Sequence, residues 1–204
     1  MALRYQQIEF IFDYIKPQSV VEIGTWNGDR AISMARRALL HQKKFRYYGF
    51  DLFEDATSET DHEELNVKQH YSLSEVTNKL QQFQNDHIGF SYELVRGNTR
   101  QTLKNVDISF TKCDLAFIDG GHSIETIEND FQAVKNCPTI LFDDYYRADN
   151  KGRCPDLENF GCNRLVEPMS PWVLPVGDPV VGGGLVHMAV TGALAKEFIN
   201  SMIN

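Results

Sequence analysis

Three aspartates and a histidine stand where chemistry could be done. Asp119 opens the run Asp119-Gly120-Gly121-His122-Ser123 directly after the apolar stretch Leu115 to Ile118, and Asp143-Asp144 follow the apolar stretch Thr139 to Phe142. Carboxylates brought together repel unless protons or a cation neutralise them. A hard, oxygen-preferring ion such as Mg²⁺ suits a cluster of Asp119, Asp143 and Asp144, while the lack of a nearby second His or a Cys disfavours zinc. A loop or helix-cap role for Asp143 and Asp144 stays open as the alternative. His122 sits three positions after Asp119 in a glycine-loosened turn. A histidine, with its reference pKa of ~6.5, can take a proton at neutral pH from a hydroxyl held by such a metal. The plainer alternative is an N-terminal helix residue with no catalytic task.

A second constellation is the run Val21-Glu22-Ile23-Gly24-Thr25-Trp26-Asn27-Gly28. Its glycines permit a tight turn into a helix and a close approach of backbone to a ligand. Asp51 ends the next apolar stretch, 23 positions beyond Gly28. That is near the offset of ~20 residues at which an acid accepts hydrogen bonds from ribose hydroxyls. A dinucleotide fingerprint would need G-x-G-x-x-G, but Trp26 replaces the middle glycine and the third is missing. A pyrophosphate would have trouble approaching such a loop. The pattern therefore points to a cofactor with adenosine but without a diphosphate, and it disfavours an NAD-type oxidoreductase.

The elements that must position these residues are legible from periodicity. Tyr5, Ile8, Phe12 and Ile15 follow helical spacing until Pro17. Val20 to Ile23 reads as a buried strand, and Ala31, Met34, Ala35, Ala38 and Leu39 return to the helical period. Strands are expected again over Tyr47 to Phe50, Phe90 to Val95, Leu115 to Ile118 and Thr139 to Phe142. A helix is expected from Ser72, with Glu75 as its capping-box partner, and another from near Ser123 with Ile124, Ile127, Phe131 and Val134 on one stripe. Short apolar strands alternating with amphipathic helices predict an α/β fold, a single Rossmann-like doubly wound sheet that is mostly parallel. In open sheets of this type ligands bind beyond the carboxyl ends of the strands, which is where the acids fall.

After Asp144 the pattern changes, with prolines at 155, 168, 171, 175 and 179 and the triplet Gly182-Gly183-Gly184. Strands near Trp172 to Val176 and Leu185 to Val190 are expected to pair as a C-terminal antiparallel hairpin, followed by a helix carrying Leu194, Phe198 and Met202. The acidic segment Glu54 to Glu64 has no apolar period and is expected to be a solvated loop rather than a substrate lid. The other histidines, at 41, 62, 70, 87 and 187, read as surface or core residues. The 204 residues fit one domain, with 1–17 an N-terminal helix, 18–146 the cofactor and metal core, and 147–204 the substrate-side elements.

Charge narrows the partners. With 20 basic and 28 acidic residues the net charge is −8, which disfavours nucleic acid and anionic membrane surfaces. No apolar run approaches the ~18 residues of a membrane span, and no signal-peptide core is seen. Cys113, Cys137, Cys154 and Cys162 form no C-x-x-C pair and fit reduced thiols, so a cytoplasmic location is expected.

Taken together, Glu22-x-Gly24-x-x-x-Gly28, Asp51, Gly97-Asn98, Phe117-Ile118-Asp119-Gly120-Gly121-His122-Ser123 and Phe142-Asp143-Asp144-Tyr145 resemble the class I S-adenosylmethionine-dependent methyltransferases. Within them the motifs resemble the small cation-dependent O-methyltransferases, the group that includes catechol and macrolide-sugar enzymes. The resemblance covers roughly residues 18 to 146. It implies that the loop of Glu22, Gly24, Thr25, Trp26 and Gly28 lines the methionine side of S-adenosyl-L-methionine, that Asp51 holds its ribose, and that Asn98 lies by the adenine. It also implies that Asp119 touches the cofactor and, with Asp143 and Asp144, binds a divalent cation such as Mg²⁺, and that His122 is the base. The acceptor would be a hydroxyl on a small molecule such as a sugar or natural-product intermediate. Trp26 departs from the glycine common at its position, and the region after Tyr146 matches no pattern. Acceptor identity and homo-oligomerisation are thereby left open, as is a non-catalytic cofactor-binding role.

Overall fold

The computed structural model describes residues 2–104 and 112–197. Its centre is a sheet of strands β1 (Ser19–Ile23), β2 (Phe45–Asp51), β3 (Phe90–Arg96), β4 (Leu115–Ile118), β5 (Thr139–Arg147), β6 (Trp172–Val173), β7 (Asp178–Pro179) and β8 (Leu185–Gly192). Their order is β3-β2-β1-β4-β5-β8-β6, with β7 also pairing β8. The first five pair in parallel, and β8 runs antiparallel to β5, β6 and β7. The predicted doubly wound sheet and its C-terminal antiparallel pair are both present.

The strands alternate their side chains between two cores, as pleating requires. Val20, Tyr47, Leu115, Phe117 and Leu141 pack on one face against α1 (Gln7–Ile15), α2 (Asp29–Leu39) and α4 (Leu73–Asp86). Val21, Ile23, Tyr48, Ala116, Ile118 and Ile140 pack on the other against α6 (Ile124–Val134) and α7 (Asn163–Val166). The remaining short helices are α3 (Ser58–Glu63) and α5 (Thr99–Thr102). Ser72 and Glu75 form the expected capping box at the start of α4, and Ser123 caps α6 by accepting from Thr126 N. None of the four cysteines is in a disulfide. Among the described residues no helix is long and apolar enough to cross a membrane. Residues 193–197 turn helical as expected. Phe198 and Met202 lie outside the described residues.

Two expectations are corrected. The strand beginning at Thr139 does not end at Phe142 but continues to Arg147, because Tyr145, Tyr146 and Arg147 pair with His187, Val186 and Leu185 of β8. Asp143 and Asp144 therefore occupy an irregularity within a strand, between Phe142 and Tyr145, and Asp144 takes a positive φ of 58° there. The acidic segment is likewise no free loop. It folds into a 3-10 turn (Phe53–Asp55) and α3, whose start is closed by reciprocal Thr57 and Thr60 bonds, and it packs over the sheet edge.

Candidate active site

The strand order reverses between β1 and β4, so their carboxyl ends diverge into a crevice. Asp119 N donates to Ile23 O at 2.8 Å, which sets the two loops side by side. Gly24 (φ 97°) is obligatory at this crossing, because a Cβ there would lie 2.0 Å from Asp119 O. Gly28 follows at φ 75° as the N-cap of α2. Above them lies a cleft of about 1050 Å³, open mouth included, over the carboxyl ends of β1, β2 and β4.

Gly24, Trp26, Asp51, Asn98, Asp119 and His122 all stand on the wall of this cleft. Asp51 Oδ2 accepts from Trp26 N and Oδ1 from Phe53 N, each at 2.8 Å. Each oxygen keeps a further acceptor site, as a carboxylate offers about four in all. Trp26 is held at φ 51°, and its indole Nε1 donates to Gln69 O at 2.8 Å. Asn98 Oδ1 caps α5 by accepting from Arg100 N.

Glu22, Thr25 and Gly28, expected on the cofactor side, lie behind the wall instead. Glu22 and Thr25 are buried on the α2 side of β1, and Gly28 faces Val76 and Leu80 of α4. Glu22 Oε2 accepts from Tyr47 OH, whereas Oε1 has no hydrogen-bond partner and sits 3.6 Å from Arg30 Nη1. Burial pushes the Glu22 carboxyl up to about 7, opposed by the Arg30 charge and the Tyr47 hydrogen bond.

His122 is fixed from two sides. Nδ1 contacts the carbonyl oxygen of Glu64, a pure acceptor, which places the ring proton on Nδ1. Nε2 is thereby the basic nitrogen, 3.5 Å from Asp144 Oδ2. Asp144 is buried, and burial raises its carboxyl above the usual range, opposed by the nearby His122 charge and reinforced by Asp143. The cap of α6 is Ser123, and His122 directly precedes it.

The acidic segment supplies part of the outer wall through Thr60, Asp61 and Glu64, and Lys68, Gln69 and His70 just beyond it supply more. Glu64 Oε2 accepts from Ser123 N at 2.7 Å, and Oε1 from Ser123 Oγ at 2.9 Å and from Thr126 Oγ1. Sequence reasoning missed these residues because acidity without periodicity looks the same in a solvated loop and in a latch.

The expected cation site does not form. Asp143 gives both oxygens to Arg4, with Nε on Oδ1 and Nη2 on Oδ2 at 2.7 Å each, and Oδ2 also accepts from Tyr5 OH at 2.6 Å. Asp119 is paired with Arg30. Burial would raise the Asp143 carboxyl, but Arg4 and Tyr5 hold it below the usual range. Among the described residues no group of three His, Cys, Asp or Glu side chains is placed to hold a metal ion. Like charges at strand ends suggest a metal while only the sequence is in view, but the neutralising charges come from elements remote along the chain.

Comparisons with known proteins bear on this arrangement. No curated protein sequence gives a significant match. Among solved structures, the fold is similar to that of TomG, an O-methyltransferase from Streptomyces achromogenes involved in tomaymycin synthesis and crystallised with SAM. The two share 12% identity at a TM-score of 0.59, over 93% of this chain and 79% of that one. It is also similar to an O-methyltransferase from Bacillus cereus in complex with SAH, at 17% identity and a TM-score of 0.56, covering 93% and 80% of the two chains. Cofactor-bound Rv0187 from MTB gives 18% identity and a TM-score of 0.61, covering 94% and 80%. A family profile described as "Methyltransferase domain" matches residues 21–145, the stretch from β1 through the Asp143-Asp144 irregularity. Spanning more than half of the chain, and including the crevice between β1 and β4, that match shows that the protein belongs to the methyltransferase domain family.

Proposed function

We propose that the protein is an S-adenosylmethionine-dependent O-methyltransferase acting on a hydroxyl of a small molecule such as a sugar or natural-product intermediate. The reading is carried by one juxtaposition: an adenosine-type acid, Asp51, and a histidine of defined tautomer, His122, on the wall of the same cleft. That TomG and the Bacillus cereus enzyme were crystallised with SAM and SAH supports the choice of cofactor.

Bound in the cleft, S-adenosylmethionine supplies an electrophilic methyl group for in-line displacement. The free acceptor sites on Asp51 take the ribose hydroxyls, and the Gly24 turn admits the ligand close to backbone. His122 Nε2 takes the hydroxyl proton of the acceptor, and Asp144, 3.5 Å away, stabilises the imidazolium that results. The Glu64 carbonyl keeps Nδ1 protonated, so Nε2 is the nitrogen left to take a proton. The segment of residues 58–71 excludes water from one side.

Calorimetric titration with S-adenosylhomocysteine and with NADH tests the cofactor, and binding of NADH alone would reject the assignment. Once an acceptor is in hand, His122→Ala should lower turnover by roughly 10²- to 10⁴-fold, the usual worth of a positioned base. Affinity for S-adenosylhomocysteine should stay unchanged, and the acidic limb of the native pH profile, where the base protonates, should vanish or move. A normal rate with a lowered melting temperature would make His122 structural.

A further inference from the structure

Two of the aspartates, Asp119 directly after β4 and Asp143 within β5, are already neutralised by the chain itself. Arg4, on the N-terminal 3-10 turn (Leu3–Gln6), grips Asp143 with a two-pronged pair, and Arg30, on α2, pairs with Asp119. Tyr5 stands between them. Its hydroxyl donates to Asp143 and lies 3.2 Å from Asp119 Oδ1, while the guanidinium carbons of Arg30 and Arg4 lie 3.7 and 4.4 Å from its ring centre. Arg4 is itself anchored, since Asp178 Oδ2 accepts from its Nη1 at 3.1 Å and its backbone N at 3.0 Å. The Arg4 and Asp143 side chains are 12% and 2% exposed, so the cluster is a shielded unit and not a chance surface pair.

We propose that Arg4 and Arg30 occupy the position a divalent cation would take among these aspartates, and that the protein works without one. A cation such as Mg²⁺ or Mn²⁺ needs carboxylate lone pairs converging on one point at ~2.0 to 2.2 Å, and those of Asp143 converge on the planar fork of Arg4. Guanidinium groups keep their charge at any working pH, so the compensation is permanent and does not depend on cation supply. Arg30 also lines the cleft beside Asp119 and His122, where it places fixed positive charge near the acceptor oxygen as its proton leaves. That last role rests on the O-methyltransferase reading; the neutralisation of the aspartates does not.

The experiment is titration of the native protein with Mn²⁺ alone, followed by calorimetry and by the loss of free Mn²⁺ paramagnetic resonance signal, alongside the variant Arg4→Gln. Native protein should show no stoichiometric Mn²⁺ binding, and its melting temperature should be the same in millimolar Mn²⁺ and in excess chelator. Arg4→Gln frees Asp143 and should bind Mn²⁺ at least 10-fold more tightly than native protein, with a melting temperature that rises on adding the ion. Stoichiometric binding by native protein that Asp143→Asn abolishes would overturn the proposal, as would a folded Arg4→Gln variant with no gain. Should Arg4→Gln not fold, Arg30→Gln, which frees Asp119, is read by the same criteria. S-adenosylhomocysteine titrated into the same native sample separates the two readings, since failure to bind it rejects the methyltransferase assignment and leaves the Mn²⁺ result standing.

Discussion

Glu22 couples stability to pH through a single buried carboxyl. Its pKa stands at about 7 in the folded chain against an ordinary value of 4.5, so between those values the folded state holds the proton more tightly than the unfolded state. The stability this contributes is complete below pH 4.5, declines as pH rises through the window, and is gone above about 7. At ~1.4 kcal/mol per unit the span is on the order of 3 kcal/mol. Glu22→Gln should remove that part of the decline and leave the part due to Asp130, which burial also pushes to about 7. Denaturant unfolding of both proteins between pH 4 and 8 reads it, and identical slopes would show that Glu22 does not titrate there. Asp51 is the complementary case on the cleft wall. Asp51→Ala should weaken S-adenosylhomocysteine binding by about 1.5 to 3 kcal/mol, the worth of hydrogen bonds to a charged group, and unchanged affinity by calorimetry would remove Asp51 from the site.

Among elements, the segment of residues 58–71 is the one whose role changes most between sequence and structure. It carries α3 and Glu64, and Glu64 latches it to the start of α6 while its carbonyl orients His122. Glu64→Ala removes the carboxylate bonds to Ser123 and Thr126 but keeps the carbonyl. S-adenosylhomocysteine should then dissociate about 10-fold faster, since 1.4 kcal/mol is a factor of ten and charged hydrogen bonds are worth ~1.5 to 3 kcal/mol. Stopped-flow displacement measures this, and an unchanged rate would mean that the segment does not gate the ligand. The β5 irregularity is the other decisive element. It turns Asp144 toward His122 by adopting a left-handed backbone, a conformation that non-glycine residues hold only where surrounding structure imposes it. Here that structure is the pairing with β8 and the hydrogen bond from Cys162 N to Asp144 O.

Across the whole molecule, the N-terminal 3-10 turn is tied to β7 and the residues just before it. Asp178 of β7 accepts from the backbone N of Leu3 and of Arg4 and from the Arg4 guanidinium, and Gln7 exchanges hydrogen bonds with Val176. The 3-10 turn bearing Arg4 and Tyr5 is thereby held against strand ends more than a hundred residues away. Asp178→Ala should lower stability by about 2 kcal/mol, the scale of lost charged hydrogen bonds. A thermal melt checks it, and a melting temperature within error of the native value would show that the N-terminal turn is held by packing alone.

How much is legible in the sequence follows from the range of the forces involved. Strand and helix identities, the caps at Ser72 and Ser123, the parallel sheet and the gathering of Asp51, Asp119 and His122 at one edge are written in local periodicity and in the rule that ligands meet the carboxyl ends of strands. The sequence by itself therefore determined the fold class and the side of the sheet where chemistry belongs. Only the tertiary structure decided what surrounds those residues. Arg4 meets Asp143, Glu64 meets Ser123 and β8 reshapes β5 across separations that no local pattern encodes, and charge compensation depends on distance in space. Hence three aspartates that read as a cation site are, in the folded chain, the partners of two arginines, a tyrosine and a histidine.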